Sequence, residues 1–526
     1  MPTDTKTTVD PVRNHSDTNA TTDVYAVHGV DPEVLAYGLA KYSRSALSLR
    51  ESLAELNEQK AEKFLNTFYF QYGHRSIADL AHLAFAVEKL SILAATVLVD
   101  EPRWDGQERS TRYQDFQTSG YFVPDFGDDG VFGSLYCETI DFLFGEYRHF
   151  SEELFCYLRD RTPRPAEMKQ DAYERTLKAR TFDLSRYLLP LATNTSLGQI
   201  VSARTLENQV SRLLSHTHAE VRRIGELLKQ AAREDSYNVN HAAARALLGQ
   251  IQHDCPSLTG RAEAFLLRQV RVAPTLMKYA EPKAYDTQTR RDVTTAAAEL
   301  LANIPIEPAP LVDLLEDEPL DLEIASTLLY QYAHHSYRQI RAVVSGMTGA
   351  QRREIIDLGL RHRGRFDEIA RTYCSGQKFR FDILMDSGGF RDMHRHRRCV
   401  QIVQEYTTRH GYDRPDDIDA AQLASRYDAA MTRARDAAAQ LSARNADEAV
   451  ERSQYVIPLA YRKRALFKMD VAEAIYISEL RTRPAGHFSY RKVAFAMYQA
   501  VARRYPELAK YFRVTDVRQP VDLLKR

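Results

Sequence analysis

The sequence predicts a helix-dominated α+β protein in which one structural unit, carrying its own small sheet, occurs twice. Three observations lead there. The chain has 526 residues, more than a single hydrophobic core sustains, so several domains are expected. Apolar residues recur mainly at helical spacing, and strict alternation is rare. Two short motifs recur in order: Gln71-Tyr72-Gly73-His74-Arg75-Ser76 returns roughly 260 residues later as Gln331-Tyr332-Ala333-His334-His335-Ser336, and RYLLPLA around Pro190 is echoed at nearly the same spacing by QYVIPLA around Pro458. Two matches in near register argue for duplication of a unit of roughly 200 residues and against a short-period solenoid.

Along the chain, the polar, threonine-rich opening lacks the apolar core of a secretion signal and the arginine-rich pattern of a transit peptide, so residues 1–27 are expected to form a disordered tail. Order should begin near Asp31-Pro32, with helical periodicity to Phe68 and more helix in most segments up to residue 235. The first repeat is thus expected over 28–235, a helical connection with the start of the second repeat over 236–322, and the second repeat over 323–526. Within the connection, residues 303–323 hold four prolines and an acidic run, the mark of a linker or an exposed loop. The clearest strand is FRFDILM, which puts Phe379, Phe381, Ile383 and Met385 on one face, and DSGGFRDM after it suggests a turn entering a helix.

Composition excludes several classes of function. The hydrophobic fraction is 44% and the charged fraction 27%, and no apolar stretch approaches the ~20 residues that span a bilayer. Lys plus Arg (71) balances Asp plus Glu (71), so no global basic field exists to hold a nucleic acid, and an anionic partner must meet a local cluster. Five cysteines without C-x-x-C spacing make a poor disulfide framework, which points to the reducing cytoplasm. No phosphate-loop, dinucleotide-fingerprint or nucleophile-elbow motif occurs.

Three constellations carry chemistry. In Glu108-Arg109-Ser110-Thr111-Arg112-Tyr113, an extended chain puts Ser110 and Arg112 side by side, as a phosphate monoester needs. A helix instead makes Glu108 and Arg112 an i, i+4 surface pair. The run His394-Arg395-His396-Arg397-Arg398 concentrates positive potential for an anionic cofactor or nucleotide, or forms a solvated basic patch or RNA contact. It has no accompanying Cys, Asp or Glu set for zinc, and no metal is expected. The twin turns His74-Arg75-Ser76 and His334-His335-Ser336 fit helix caps, with Ser76 or Ser336 at the N-cap and Asp79 or Gln339 three residues on. Such caps are compatible with anion binding.

In this order the pieces resemble the flavin-dependent thymidylate synthases, whose signature runs R-H-R, a spacer, then E-x-S-x-R-Y, after an upstream G-H-x-S. The signature is split between the copies. The first keeps Gly73-His74-Arg75-Ser76 and Glu108, Ser110, Arg112 and Tyr113, with Asp100-Glu101-Pro102 in place of R-H-R. The second keeps His334-His335-Ser336 and Arg395-His396-Arg397, with IVQEYT in place of E-x-S-x-R-Y. Downstream, the first copy holds Arg186 four residues before Pro190, then Arg204 and Asn208. The second has Gln454 before Pro458 but keeps Leu480-Arg481.

The resemblance implies two tandem thymidylate-synthase-complementing-like repeats and a nucleotide site of Ser110, Arg112 and Arg186, with Arg481 as the catalytic group at the pyrimidine. It also implies an FAD site of His74, Ser76, Glu108, Arg204, Asn208, His334, Ser336, Arg395, His396 and Arg397. The implied reaction converts deoxyuridylate to thymidylate, with methylenetetrahydrofolate supplying carbon and NADPH reducing the flavin, at a composite site drawn from both repeats. Another pyrimidine nucleotide, a folate-free flavin reaction and a non-catalytic nucleotide-binding relative stay open. The implied partner is a small nucleotide, and a homodimer of such chains would imitate the family's tetramer.

Overall fold

Each half of the molecule is organised around a strand in the middle of a small antiparallel sheet. The computed structural model describes residues 29–40, 75–278, 280–315, 319–364, 370–373, 379–443, 448–509, 512–519, 522 and 524. β1 (His82–Ser91), β2 (Asp105–Glu108) and β3 (Asn194–Ser202) pair in the order β1-β3-β2. β4 (Val312–Leu314), β5 (Phe379–Asp386), β6 (Val400–Val403) and β7 (Arg462–Met469) pair in the order β4-β5-β7-β6. Helices make up most of the rest, so the fold is helix-dominated α+β. Among the described residues no helix is long and apolar enough to cross a membrane.

With β4 set aside, both sheets are threaded alike. A long strand runs into a seven-residue helix, Ile92–Leu98 or Ser387–Met393. A short edge strand follows, and after further helices the chain returns through the middle. The strand-to-helix junction is enforced in both halves by a cap on the last strand residue. Ser91 Oγ accepts from Ala94 N–H at 2.9 Å, and Asp386 Oδ1 accepts from Gly389 N–H at 2.6 Å. In register, Leu90 faces Thr195 in the first sheet and Met385 faces Lys463 in the second.

The echoed LPLA and IPLA segments are the seam between the halves. Pro190 and Pro458 form an antiparallel bridge. Around it Leu191 N–H donates to Ile457 O (3.0 Å), and Leu459 N–H to Leu189 O (2.9 Å). One apolar core runs through the seam, joining Leu189 and Leu191 to Val456 and Leu459. A second core packs Phe379, Phe381, Ile383 and Met385 against Val493 and Met497 of the helix Phe488–Arg504.

Four expectations need correction or completion. The first half carries the small sheet expected of each repeat, but its strands are not located by the sequence reading, because the apolar run Leu83 to Val87 conceals β1. Within 303–323 the chain is no bare linker, since β4 pairs with β5 at the sheet edge. On β5 the expected apolar face is present, but Arg380, Asp382 and Asp386 on the other face are buried too. Asp382 there accepts from Tyr330 Oη (2.8 Å) and Arg464 Nη1 (2.9 Å). Of the helix expected over Pro32 to Phe68, Pro32–Ala40 is helical, and residues 41–68 lie outside the described residues.

Candidate functional site

β2 ends at Glu108 and the chain then turns, so Glu108-x-Ser110-x-Arg112 is neither extended nor helical. The turn aims its side chains at the other half. Glu108 accepts from Arg391 Nη2 across the interface, and the i, i+4 pair with Arg112 does not form. Arg112 is 7% exposed. It donates to Asp183 Oδ1 (2.9 Å), Tyr490 Oη (3.1 Å) and the Ala485 carbonyl (3.1 Å). Ser110 lies at the mouth of the turn, its Oγ accepting from Arg112 N–H at 3.2 Å.

Arg186 enters the same cluster from the end of the helix Gln170–Ser185 and is 2% exposed. Its Nε stands 3.6 Å from Asp183. The Thr111 hydroxyl accepts from both Arg186 Nη1 (3.4 Å) and Arg391 Nη1 (3.2 Å). Arg186 Nε and Nη2 and Arg391 Nε are buried without a hydrogen-bond partner among the described residues. Two guanidinium groups therefore share one neutral hydroxyl while retaining donors, an arrangement suited to an anion. Asp183 also meets His487 Nδ1 at 2.8 Å, and Tyr187 Oη lies 3.0 Å from His487 Nε2. Burial, with Arg186 and Arg112 adding, pushes His487 down to about 4 against the pull of Asp183, so the ring is neutral at pH 7.

Arg481 belongs to the same neighbourhood. Its guanidinium lies 5.4 Å from the Tyr490 ring, and that of Arg112 lies 5.6 Å from it. Arg481 Nε donates to His396 Nε2 (2.8 Å), while His396 Nδ1 faces Glu473 at 3.4 Å. Burial lowers His396, leaving Nε2 free to accept. The first-half residues Ser110, Arg112 and Arg186 and the second-half residues His396 and Arg481 thus cluster within one chain.

The other singled-out residues scatter more widely. Arg395 is exposed. Arg397 lies over the Trp104 ring at 4.5 Å, its Nε buried and unpartnered. It lines a cleft of about 600 Å³ between the halves, together with Asn208, Asp100 and Tyr332. A neighbouring cavity of about 460 Å³ shares Arg397 and includes Trp104 and Asp79. Arg204 pairs with Asp79 at 3.1 Å. Ser336 caps the helix Tyr337–Ser345 in a full capping box with Gln339, as expected. Ser76 does not match it, because a 3-10 helix starts at Arg75 and encloses it, and it is exposed. His334 is half-buried with its ring 6.4 Å from His410, and burial with Arg409 and His335 pushes it down to about 4. His74 lies outside the described residues.

Sequence reasoning missed Arg391, Thr111, Asp183, His487 and Tyr490. Two carried a usable signal: Arg391 stands four residues before Arg395, and Asp183 one helical turn before Arg186. The other three belong to the site only through tertiary contact.

The model of the thymidylate synthase complementing protein family matches residues 27–235 and again 322–507. The chain belongs to this family. The two matched stretches are consistent with a tandem duplication, and between them they contain every strand of the two sheets except β4. The chain is similar along nearly its whole length to a UPF0159 protein of Chlamydia pneumoniae, at 28% identity over 96% of this chain and 93% of that one. A flavin-dependent thymidylate synthase of Clostridium tetani is 25% identical over 34% of this chain and 68% of its own length. A solved structure of thymidylate synthase X from Helicobacter pylori with FAD and dUMP aligns over 38% of this chain and 88% of its own, at 16% identity and a TM-score of 0.26. Family membership carries a distant relationship to the flavin-dependent thymidylate synthases.

Proposed function

We propose that this thymidylate synthase complementing protein methylates deoxyuridylate at one composite site per chain, using FAD, with methylenetetrahydrofolate as carbon donor and NADPH as reductant. The observation that carries this reading is the shared Thr111 hydroxyl, toward which Arg186 and Arg391 converge with buried donors to spare. A nucleotide phosphate offers those donors the acceptors they lack, with Ser110 adding a directional hydroxyl and Arg112 a charge held in place by Asp183. Arg481, stacked near Tyr490, faces the pyrimidine and stabilises negative charge developing on its ring. The cleft of Asn208 and Arg397, with the orphaned Arg397 Nε, suits the anionic part of a flavin dinucleotide. The family resemblance also assigns Glu108, Arg204, His396, His74, Ser76, His334, Ser336 and Arg395 to the flavin, although none of those described lines that cleft. FAD, when bound, supplies the redox step, and the chain's residues position and polarise the nucleotide.

Flavin absorbance near about 450 nm in the purified chain, followed by deoxyuridylate titration, tests the reading directly. Growth of a thymidine-requiring strain on this gene tests the reaction. Mixing Arg112→Ala chains with Arg395→Ala chains tests whether the site is closed within one chain. No recovery of activity is expected, whereas return of about a quarter to a half would assign the site to a homodimer interface.

A further inference from the structure

The family-matched stretches stop at residue 235 and resume at 322. The cleft between the halves nevertheless has a wall from the intervening segment. The helix Ala284–Leu301 opens onto it, with Lys283 at the N-cap and Tyr285, Asp286, Thr289 and Arg290 in its first turns. This wall is anchored to both halves. Lys283 N–H donates to Ser215 Oγ at 2.8 Å in the first, and the buried Tyr285 hydroxyl donates to the Gly359 carbonyl at 3.2 Å in the second.

The lining cations divide into two groups. Arg212 is committed to Glu101 (2.8 Å), Arg371 to Asp100 (2.6 Å) and Arg398 to Asp470 (2.9 Å). By contrast, Lys283 Nζ has no ion-pair partner among the described residues, Arg290 stands 3.7 Å from Glu405, and Arg397 keeps an unpartnered buried Nε over Trp104. Cations that are unpaired or, like Arg290, only loosely paired, from two separate segments lining one cavity of about 600 Å³, call for a ligand with charge spread over more than one group. Two linked phosphates have that form, and Tyr332 in the same lining offers a ring face.

We propose that Lys283 and Arg290, from the segment between the repeats, grip the diphosphate bridge of a flavin dinucleotide together with Arg397. This rests on the flavin reading above. The connection is then part of the binding site, and a unit made of the matched stretches alone lacks one of its walls.

The chain's single tryptophan, Trp104, lies against Arg397 and provides a reporter independent of activity. The full-length chain is titrated with FAD and, separately, with riboflavin, which has no diphosphate, while Trp104 emission is followed. Lys283→Ala and Arg290→Ala are each expected to weaken FAD binding about tenfold or more, and Lys283→Glu further, in proteins with parental unfolding midpoints. Riboflavin affinity should be unmoved. Parental FAD affinity in the variants, or an equal loss for riboflavin, overturns the assignment. If the parent chain takes up no FAD, the flavin reading itself falls. Inorganic pyrophosphate then serves as the probe, and variants that bind it like the parent overturn the cation wall as well.

Discussion

The two halves meet at two junctions built to one plan, and only one of them carries charge suited to a substrate. At the first, Tyr187 hydrogen bonds His487 and Asp386 pairs with Ser489. At the second, Tyr455 packs edge-on against His218 with ring centres 5.6 Å apart, and Ser91 pairs with Glu220 at 2.6 Å. The turn after the short strand faces the other half's capped helix in each case, through Arg391 to Thr111 at one junction and Thr96 to Tyr406 at the other. The sequence echo aligns Arg186 with Gln454 and Asp183 with Glu451. The second junction therefore keeps the frame without a guanidinium group at the position of Arg186. Glu220 closes it instead, accepting from Ser91 and from Tyr455 Oη at 3.0 Å. A frame that occurs twice can thus hold a cluster of buried guanidinium groups at one junction and a joint closed by a carboxylate at the other.

The largest expected contrast is in stability. Asp183→Ala takes from the buried Arg112 and Arg186 the carboxylate they share, and removing one partner of a buried pair costs about 3–5 kcal/mol. Its counterpart change, Glu451→Ala, removes a half-buried side chain without such partners and should stay within about 0.5 kcal/mol. Urea unfolding of both variants checks this, and equal losses would erase the distinction between the junctions.

Nucleotide affinity should divide the same way. Arg112→Ala and Arg186→Ala are expected to weaken deoxyuridylate binding about ten- to hundredfold, from the loss of one charge-assisted hydrogen bond each. Gln454→Ala should change nothing. Because Arg112 and Arg186 share Asp183, their double mutant should depart from additivity. Calorimetric titration reads all three, and a substantial loss in Gln454→Ala would show that the second junction also binds nucleotide.

The middle strands differ as sharply. Lys463, at the register position of Thr195, is buried with its ammonium 3.5 Å from the Tyr406 ring and 4.9 Å from that of Phe390. Burial pushes it down to about 7 against the pull of Asp100 and Glu405. Since the folded-state value lies below the unfolded one, the unfolded chain binds more protons above pH 7. Stability should therefore rise with pH from about 7 toward 10, by at most about 1.4 kcal/mol per unit for this one proton. Unfolding midpoints of Lys463→Met should lack that contribution, and identical pH profiles for parent and variant would refute it.

What the sequence made legible follows from what is local. The apolar face of β5 and the capping box at Ser336 depend on neighbours a few residues apart, and both are present in the structure. The LPLA echo marked a real equivalence, although that it pairs with itself was invisible. The arginines at 112, 186 and 481 were singled out by motif, but their meeting at Tyr490 and Asp183 depends on chain separations such as 378 residues from Arg112 to Tyr490. No spacing rule reaches that far. β1 was hidden for a different reason, since its apolar run packs on one side and lies partly exposed on the other without clean alternation.

The smallest contrast lies in the twin turns. Ser336 is 8% exposed. Its Oγ accepts from Gln339 N–H at 3.3 Å, while Gln339 Oε1 accepts from Ser336 N–H at 3.1 Å. Ser336→Ala leaves the Gln339 N–H without its cap and should cost about 1 kcal/mol. Ser76, enclosed in a 3-10 helix and exposed, supports no such box, so Ser76→Ala should stay within about 0.5 kcal/mol. Thermal unfolding compares the two, and an equal cost would mean that the turns are capped alike after all. Flavin content then separates the cap from the ligand role. Measured well below the unfolding midpoint, a Ser336→Ala chain that holds FAD as tightly as its parent restricts that serine to the cap. A chain that loses FAD more than its stability accounts for assigns the hydroxyl to both roles, because the N-terminus of a capped helix also attracts anions.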